Sequence, residues 1–195
     1  MPAMPSKPTR HETTHERILE VAARSLRRNG YDGVGVADVM KQAGLTHGGF
    51  YAHFESRDAL LAEAIERAGR DSAEAMKRRI EASRAKGHNA FRALIESYLS
   101  ESHLRGVESG CIVAALGSEM HRQAPSLLEP STARVRGLIA MVQQSLPKGA
   151  ARELAMVIAG TMVGSLQLAR TLGPNAQGKA MLAAARNALL AQYDS

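Results

Sequence analysis

Residues 36–54 read VADVMKQAGLTHGGFYAHF, and the fold is decided there. Apolar residues at helical spacing mark a short helix over residues 36–43 and a shorter one over 46–54. Ala43-Gly44-Leu45-Thr46 joins them: Gly44 permits the left-handed conformation of a tight turn, and the Thr46 hydroxyl suits a helix cap. That is a helix-turn-helix. The second helix is weak in its own right, because Gly48 and Gly49 each cost about 1 kcal/mol relative to Ala. Either the missing side chains let N–H groups at a helix N-terminus approach phosphates and leave room for base edges, or the glycines fit against a packed neighbour.

Upstream, Thr13-x-x-Glu16 has capping-box spacing and leads into Ile18, Leu19, Ala22, Ala23 and Leu26 as one apolar face, which ends at Asn29-Gly30. Downstream, Ser56 can cap a long helix that starts at Arg57, buries Leu60, Leu61, Ala64, Ile65 and Ala68, and continues to Gly87 with Gly69 as a bend point. Further apolar stripes predict helices over residues 90–104, 111–123 (stopped by Pro125), 132–146, 150–172 and 176–193. No segment alternates with a period of two, so the chain reads as all-α: an N-terminal three-helix helix-turn-helix domain joined to a C-terminal helical bundle, about nine helices in all.

Composition agrees with a globular protein of one or two domains. The 195 residues are 45% hydrophobic and 23% charged, which excludes a collagen, a disulfide scaffold and a disordered acidic chain. One Cys forms no internal disulfide, which favours a reducing compartment. The longest charge-free stretch, residues 154–169, has 16 residues, short of the roughly 20 a membrane span needs. With three prolines and no apolar run in residues 1–10, no signal peptide is expected either, and the expected location is cytoplasmic. Net charge of +6 favours acidic partners, yet residues 1–68 carry nine basic and nine acidic side chains, against 16 and 10 in residues 69–195. Charge alone would misplace a DNA-binding surface.

The segment from Glu16 to Ala68 resembles the DNA-binding region of the TetR family of bacterial transcriptional repressors. The likeness is carried by Ala22-Ala23, the Ala43-Gly44-Leu45-Thr46 turn, Tyr51-x-His53-Phe54 and the capped helix after Ser56, in order and at the family's spacing. It implies a ligand-responsive regulator that binds double-stranded operator DNA as a homodimer and is released by a small-molecule effector. The domains it implies are a flexible polar arm (1–12), the helix-turn-helix (13–55) and an effector-binding and dimerisation domain (56–195). By the same resemblance Thr46, Tyr51 and His53 match phosphate contacts. His47, Gly48 and Gly49 lie where bases and adjacent phosphates are met, and Arg57 stands where the family usually has a Lys near a phosphate. Two departures remove contacts: Gly35-Val36 where a Thr or Ser often precedes the second helix, and Ala52 where a large polar residue is common. Phe54 suits the core, whereas Tyr51 can pack its ring and still reach a phosphate. A DNA-binding protein without an effector is the nearer alternative.

A second motif competes. His11-Glu12-Thr13-Thr14-His15 matches His-Glu-x-x-His, which in metalloproteases puts two zinc ligands on one helical face beside a general-base Glu. A capping box at Thr13 would leave His11 in the arm and break that geometry. The surroundings are polar and no third ligand follows nearby, so a metal-dependent hydrolase is the lesser reading; no metal, cofactor or membrane partner is expected.

In the C-terminal half, Phe91, Tyr98, His103, Met120 and His121 are candidates to border an effector cavity. Met76, Met120, Met141, Met156, Met162 and Met181 are adaptable pocket residues or ordinary core filling. Cys111, at an expected helix start, is either a reactive thiol activated by the helix dipole or a small buried hydrophobe. Gly160 and Gly164 lie one turn apart, and Ala180, Ala184 and Ala188 form a small-residue stripe on the next helix. Such faces let helices approach closely, which suits a four-helix dimer interface.

Overall fold

The computed structural model describes residues 9–194. Most of the expected polar arm, residues 1–8, lies outside the described residues. Helix α1 (Arg10–Asn29) starts earlier than the Thr13 capping box predicts. Thr9 is the cap: the Glu12 amide donates to Thr9 Oγ1 at 3.2 Å and the Thr9 amide donates to Glu12 Oε2 at 2.7 Å. The Thr13 and Thr14 hydroxyls instead donate back to the carbonyls of Thr9 and Arg10, at 2.9 and 2.8 Å, as threonines inside a helix do. Capping-box spacing occurs twice in this stretch, four residues apart, and the chain uses the upstream copy. Residues 10–12, expected in the arm, are therefore helical.

The other elements are α2 (Val36–Gln42), a 3-10 helix (His47–Ala52), α3 (Arg57–Arg84), α4 (Ala90–Tyr98), α5 (Glu101–Arg105), α6 (Ile112–Met120), α7 (Pro125–Ser145), α8 (Arg152–Leu172) and α9 (Ala176–Tyr193). Every regular element among the described residues is helical. Gly44 takes φ +69°, the left-handed turn its sequence context predicts. Helix α3 starts as expected, with the Ala59 amide donating to Ser56 Oγ at 3.1 Å. It packs on α1 at one side and on α4 and α7 at the other, so a single rigid element serves both halves.

Other readings also differ from expectation, among them the start of α7 at Pro125 where residue 132 was expected. Residues 90–104 form two helices, because Ser100 re-caps the chain and accepts from the His103 amide. Pro125 starts α7 instead of only ending the helix before it, since a first-turn proline lacks an N–H that would be unpaired anyway. Gly69 sits inside a continuous α3 and marks no bend: a Cβ there would fall 2.2 Å from Arg134 Cδ, so the glycine makes room for that side chain. Helix α8 is long and apolar enough by length and composition to cross a membrane. Its inner face, including Ile158, Met162 and Leu166, is buried in the bundle, where it packs on α7 and α9.

Candidate nucleic-acid interface

The helix-turn-helix closes over Met40, Phe50 and Phe54, all buried, with the Phe50 and Phe54 rings stacked at 5.6 Å. This anchors the 3-10 helix by one edge and leaves the other bare. Thr46, His47, Gly48 and Tyr51 are exposed, Tyr51 at 72%, while its ring meets Phe50 edge-on at 5.2 Å. A Cβ at Gly48 would meet nothing within 4 Å, and at Gly49 only Met40 Cε and Thr46 Oγ1 at 3.7 and 3.9 Å. No packed neighbour requires glycine at 48. Thr46 makes no side-chain cap, contrary to expectation, so the first N–H groups of the 3-10 helix carry no side-chain partner and can meet an anion. Lys41, exposed at the end of α2, adds a cation near this edge that sequence reasoning passed over.

His53 and Arg57 are placed differently from the exposed set. His53 stacks on His11 at 4.3 Å and lies 5.9 Å from His15. Burial, with His11 and His15 adding to it, holds the His53 pKa below the ordinary histidine value. Arg57 donates through Nε to the Val34 carbonyl at 3.0 Å and through Nη2 to the Tyr31 carbonyl. The guanidinium thus braces the loop between α1 and α2 against the start of α3.

The same geometry disposes of the metal motif. His11 and His15 do lie one turn apart in a continuous helix, which the expected capping box had ruled out. Yet His11 Nε2 bonds the Ala52 carbonyl at 3.0 Å, His15 Nε2 bonds Glu63 Oε2 at 2.8 Å, and the Glu12 carboxylate accepts from the Thr9 amide in the capping box. Among the described residues no group of three or more His, Cys, Asp or Glu side chains could hold a metal ion.

A polar seam that no motif announced ties this domain to the bundle. Arg27 is 4% exposed; its Nε donates to the Glu108 carbonyl at 2.7 Å and its Nη2 lies 3.8 Å from Asp71. Arg28 pairs with the Glu108 carboxylate at 2.8 Å, and the Tyr31 hydroxyl and amide reach Ser131 and Glu119 at 3.2 Å each. The only signal in the sequence is an arginine, Arg27, beside Leu26 on an otherwise apolar face.

Behind the seam lies a cavity of about 180 Å³. Tyr98, His103 and Cys111 line it, with Met76 and Met141. Phe91, Met120 and His121 do not. The cavity opens at the N-terminal end of α6, while Met120 and His121 lie at its other end, about 13 Å away at the α-helical rise. Phe91 is buried against Tyr193 instead. His103 is buried, and burial pushes its pKa down to about 4, so the ring is neutral. Nδ1–H then donates to the Tyr98 carbonyl at 2.7 Å while Nε2 accepts from the Cys111 amide at 2.9 Å. Among the described residues the Tyr98 hydroxyl, beside the Cys111 thiol, is buried without a well-formed hydrogen bond, a state that costs roughly 1–3 kcal/mol.

Fold and exposed edge together define a helix-turn-helix DNA-binding regulator. The family profile described as bacterial regulatory proteins, tetR family, matches residues 18–64. The HTH-type transcriptional regulator MT0206 of Mycobacterium tuberculosis (strain CDC 1551 / Oshkosh) is 30% identical over 166 residues, covering 80% of this chain and 83% of that one. The HTH-type transcriptional repressor NemR of Escherichia coli (strain K12) is 24% identical over 176 residues, 89% of this chain and 87% of that one. The crystal structure of reduced E. coli NemR superposes with a TM-score of 0.73 at 19% identity, covering 91% and 96% of the two chains. A TetR regulator from Legionella pneumophila does so with 0.74 at 18% identity, covering 97% and 100%. The chain belongs to the TetR family of bacterial transcriptional regulators.

Proposed function

We propose that the protein is a homodimeric repressor whose 3-10 helix enters the major groove of an operator and whose bundle cavity takes a small-molecule effector that lowers DNA affinity. The observation that carries the DNA reading is the bare edge at Gly48, where an added Cβ would meet nothing within 4 Å, beside an exposed Tyr51 and an uncapped helix start. Thr46 and Tyr51 meet phosphates there, and His47, Gly48 and Gly49 lie against base edges. His53 and Arg57, both engaged within the protein, position that edge. Replacing the Tyr51 hydroxyl in Tyr51→Phe removes one hydrogen bond to a charged oxygen, and about tenfold in affinity is expected to go with it. Fluorescence anisotropy should find the same factor on selected and random duplexes, since phosphate contacts carry no sequence information. A loss confined to the selected duplex would assign Tyr51 to base recognition instead.

The second copy is supported by the outer face of α8 and α9. Val157 and Leu168 are 61% and 56% exposed, Ala180, Ala184 and Ala188 are exposed, and a Cβ at Gly160 or Gly164 would meet nothing within 4 Å. A second copy of this face covers it in a four-helix interface. Effector binding reaches DNA through the seam: Ser72 Oγ donates to the Gly110 carbonyl at 2.7 Å beside the cavity, and the segment just before it presents Glu108 to Arg27 and Arg28.

Cys111, half-buried on the cavity wall, is the candidate reactive thiol. Its position on the wall of an open cavity supports reaction with small electrophiles. Iodoacetamide is expected to alkylate it in the native protein, forming the S–C bond with loss of iodide, and Cys111→Ser should no longer label. Labelling only after unfolding would make Cys111 a structural side chain.

A further inference from the structure

The cavity beside α6 has the chemistry of an anion site. Arg134 from α7 and Arg79 from α3 both line it, and among the described residues neither is in an ion pair and no Asp or Glu lines the wall. Among the described residues Arg134 Nε is buried with no hydrogen-bond partner. Its stem is seated on Gly69, where any side chain would displace it, so a residue unfavourable to the helix lets this arginine lie against the wall. Among the described residues the Tyr98 hydroxyl, on a side chain 1% exposed, makes no well-formed hydrogen bond and has the Cys111 thiol as its polar neighbour. Helix α6 points its N-terminus at the same space with no side-chain cap, so its dipole and free N–H groups also favour a negative charge. Met76, Ile112, Val113, Leu138 and Met141 make the rest of the wall apolar.

We infer that this cavity binds a small organic monocarboxylate, its carboxylate held by Arg134, Arg79 and the Tyr98 hydroxyl and its apolar body lying among Met76, Leu138 and Met141. The size follows from the volume. A cavity of about 150 Å³ admits benzene, so about 180 Å³ suits an acid built on one ring or a short chain. This ligand class rests on reading the cavity as the effector site of a ligand-responsive regulator.

The test is calorimetric titration of the full-length, DNA-free protein with benzoate, phenylacetate and hexanoate, each against its neutral amide. At least one acid is expected to bind tenfold or more tightly than its amide. That preference should collapse in Arg134→Met and weaken in Arg79→Met and Tyr98→Phe. Circular dichroism checks each variant, and Arg79, half-buried, carries the test if Arg134→Met fails to fold. No acid exceeding its amide, including the case in which none binds, overturns the inference, as does an undiminished acid preference in folded Arg134→Met or Arg79→Met. Operator affinity is measured separately. An acid that binds with the expected preference but leaves DNA affinity unchanged upholds the ligand class and contradicts the effector reading. A neutral compound that releases DNA while no acid binds does the reverse.

Discussion

Placing a carboxylate on the outer face of α8, in Gly164→Glu, is expected to turn the dimer into a monomer and to lower operator affinity by about 10²–10⁴-fold. The site tolerates the change within one chain, because a Cβ at Gly164 meets nothing within 4 Å. Across a dimer the same position has to be apolar and closely approached. The stripe through exposed Val157, Gly160 and Leu168 and half-buried Gly164 faces its own copy in the proposed interface, and an unpaired charge buried there is strongly unfavourable. The affinity loss follows from linkage of two binding events: with both half-sites engaged, the second contact is intramolecular and raises avidity by about 10²–10⁴. Sedimentation velocity reports the dimer and anisotropy the affinity. A Gly164→Glu protein that stays dimeric would move the interface elsewhere.

The second large effect is at Gly48. Because the position is open, Gly48→Leu should leave the fold intact and, by helix propensity, raise stability by up to about 1 kcal/mol. The same substitution puts four carbons between the backbone and the DNA surface. Loss of close approach should remove at least one base contact, worth about 1–3 kcal/mol, together with neighbouring phosphate contacts, so a fall of ~100-fold or more is expected. Gly48→Ala should lie between the two. A stable, folded variant that no longer binds DNA separates recognition from packing in a way few substitutions can.

The recognition segment was legible because its signals are local. Gly44 needs a positive φ, Ser56 needs an amide three residues on, and Phe50 and Phe54 need a core; each constraint is visible within a few residues. The failures came where two local signals were equivalent or where the answer was tertiary. Thr9-x-x-Glu12 and Thr13-x-x-Glu16 cannot be ranked by spacing, and with the wrong choice the two histidines were separated that the helix in fact aligns. Pro125 reads equally as a stop or a start. That Arg57 also donates to the Val34 and Tyr31 carbonyls, and that α6 offers the cavity its N-terminal end and not Met120 and His121, are tertiary facts that no local signal carries. The seam through Arg27, Arg28, Glu108 and Tyr31 was out of reach because its hydrogen-bond partners lie 80 to 100 residues away in the chain.

The most direct test of the central claim is selection of duplexes from a random-sequence library by the wild-type protein, followed by anisotropy titration of the enriched sequence at fixed salt. The expected product is an inverted repeat whose half-site centres lie about 34 Å, one helical turn, or a multiple of it apart. It should bind at least ~10³-fold more tightly than random duplex, with Gly48→Leu losing that preference. Equal affinity for every duplex, or an enriched sequence that Gly48→Leu binds as well as the wild type, would contradict it.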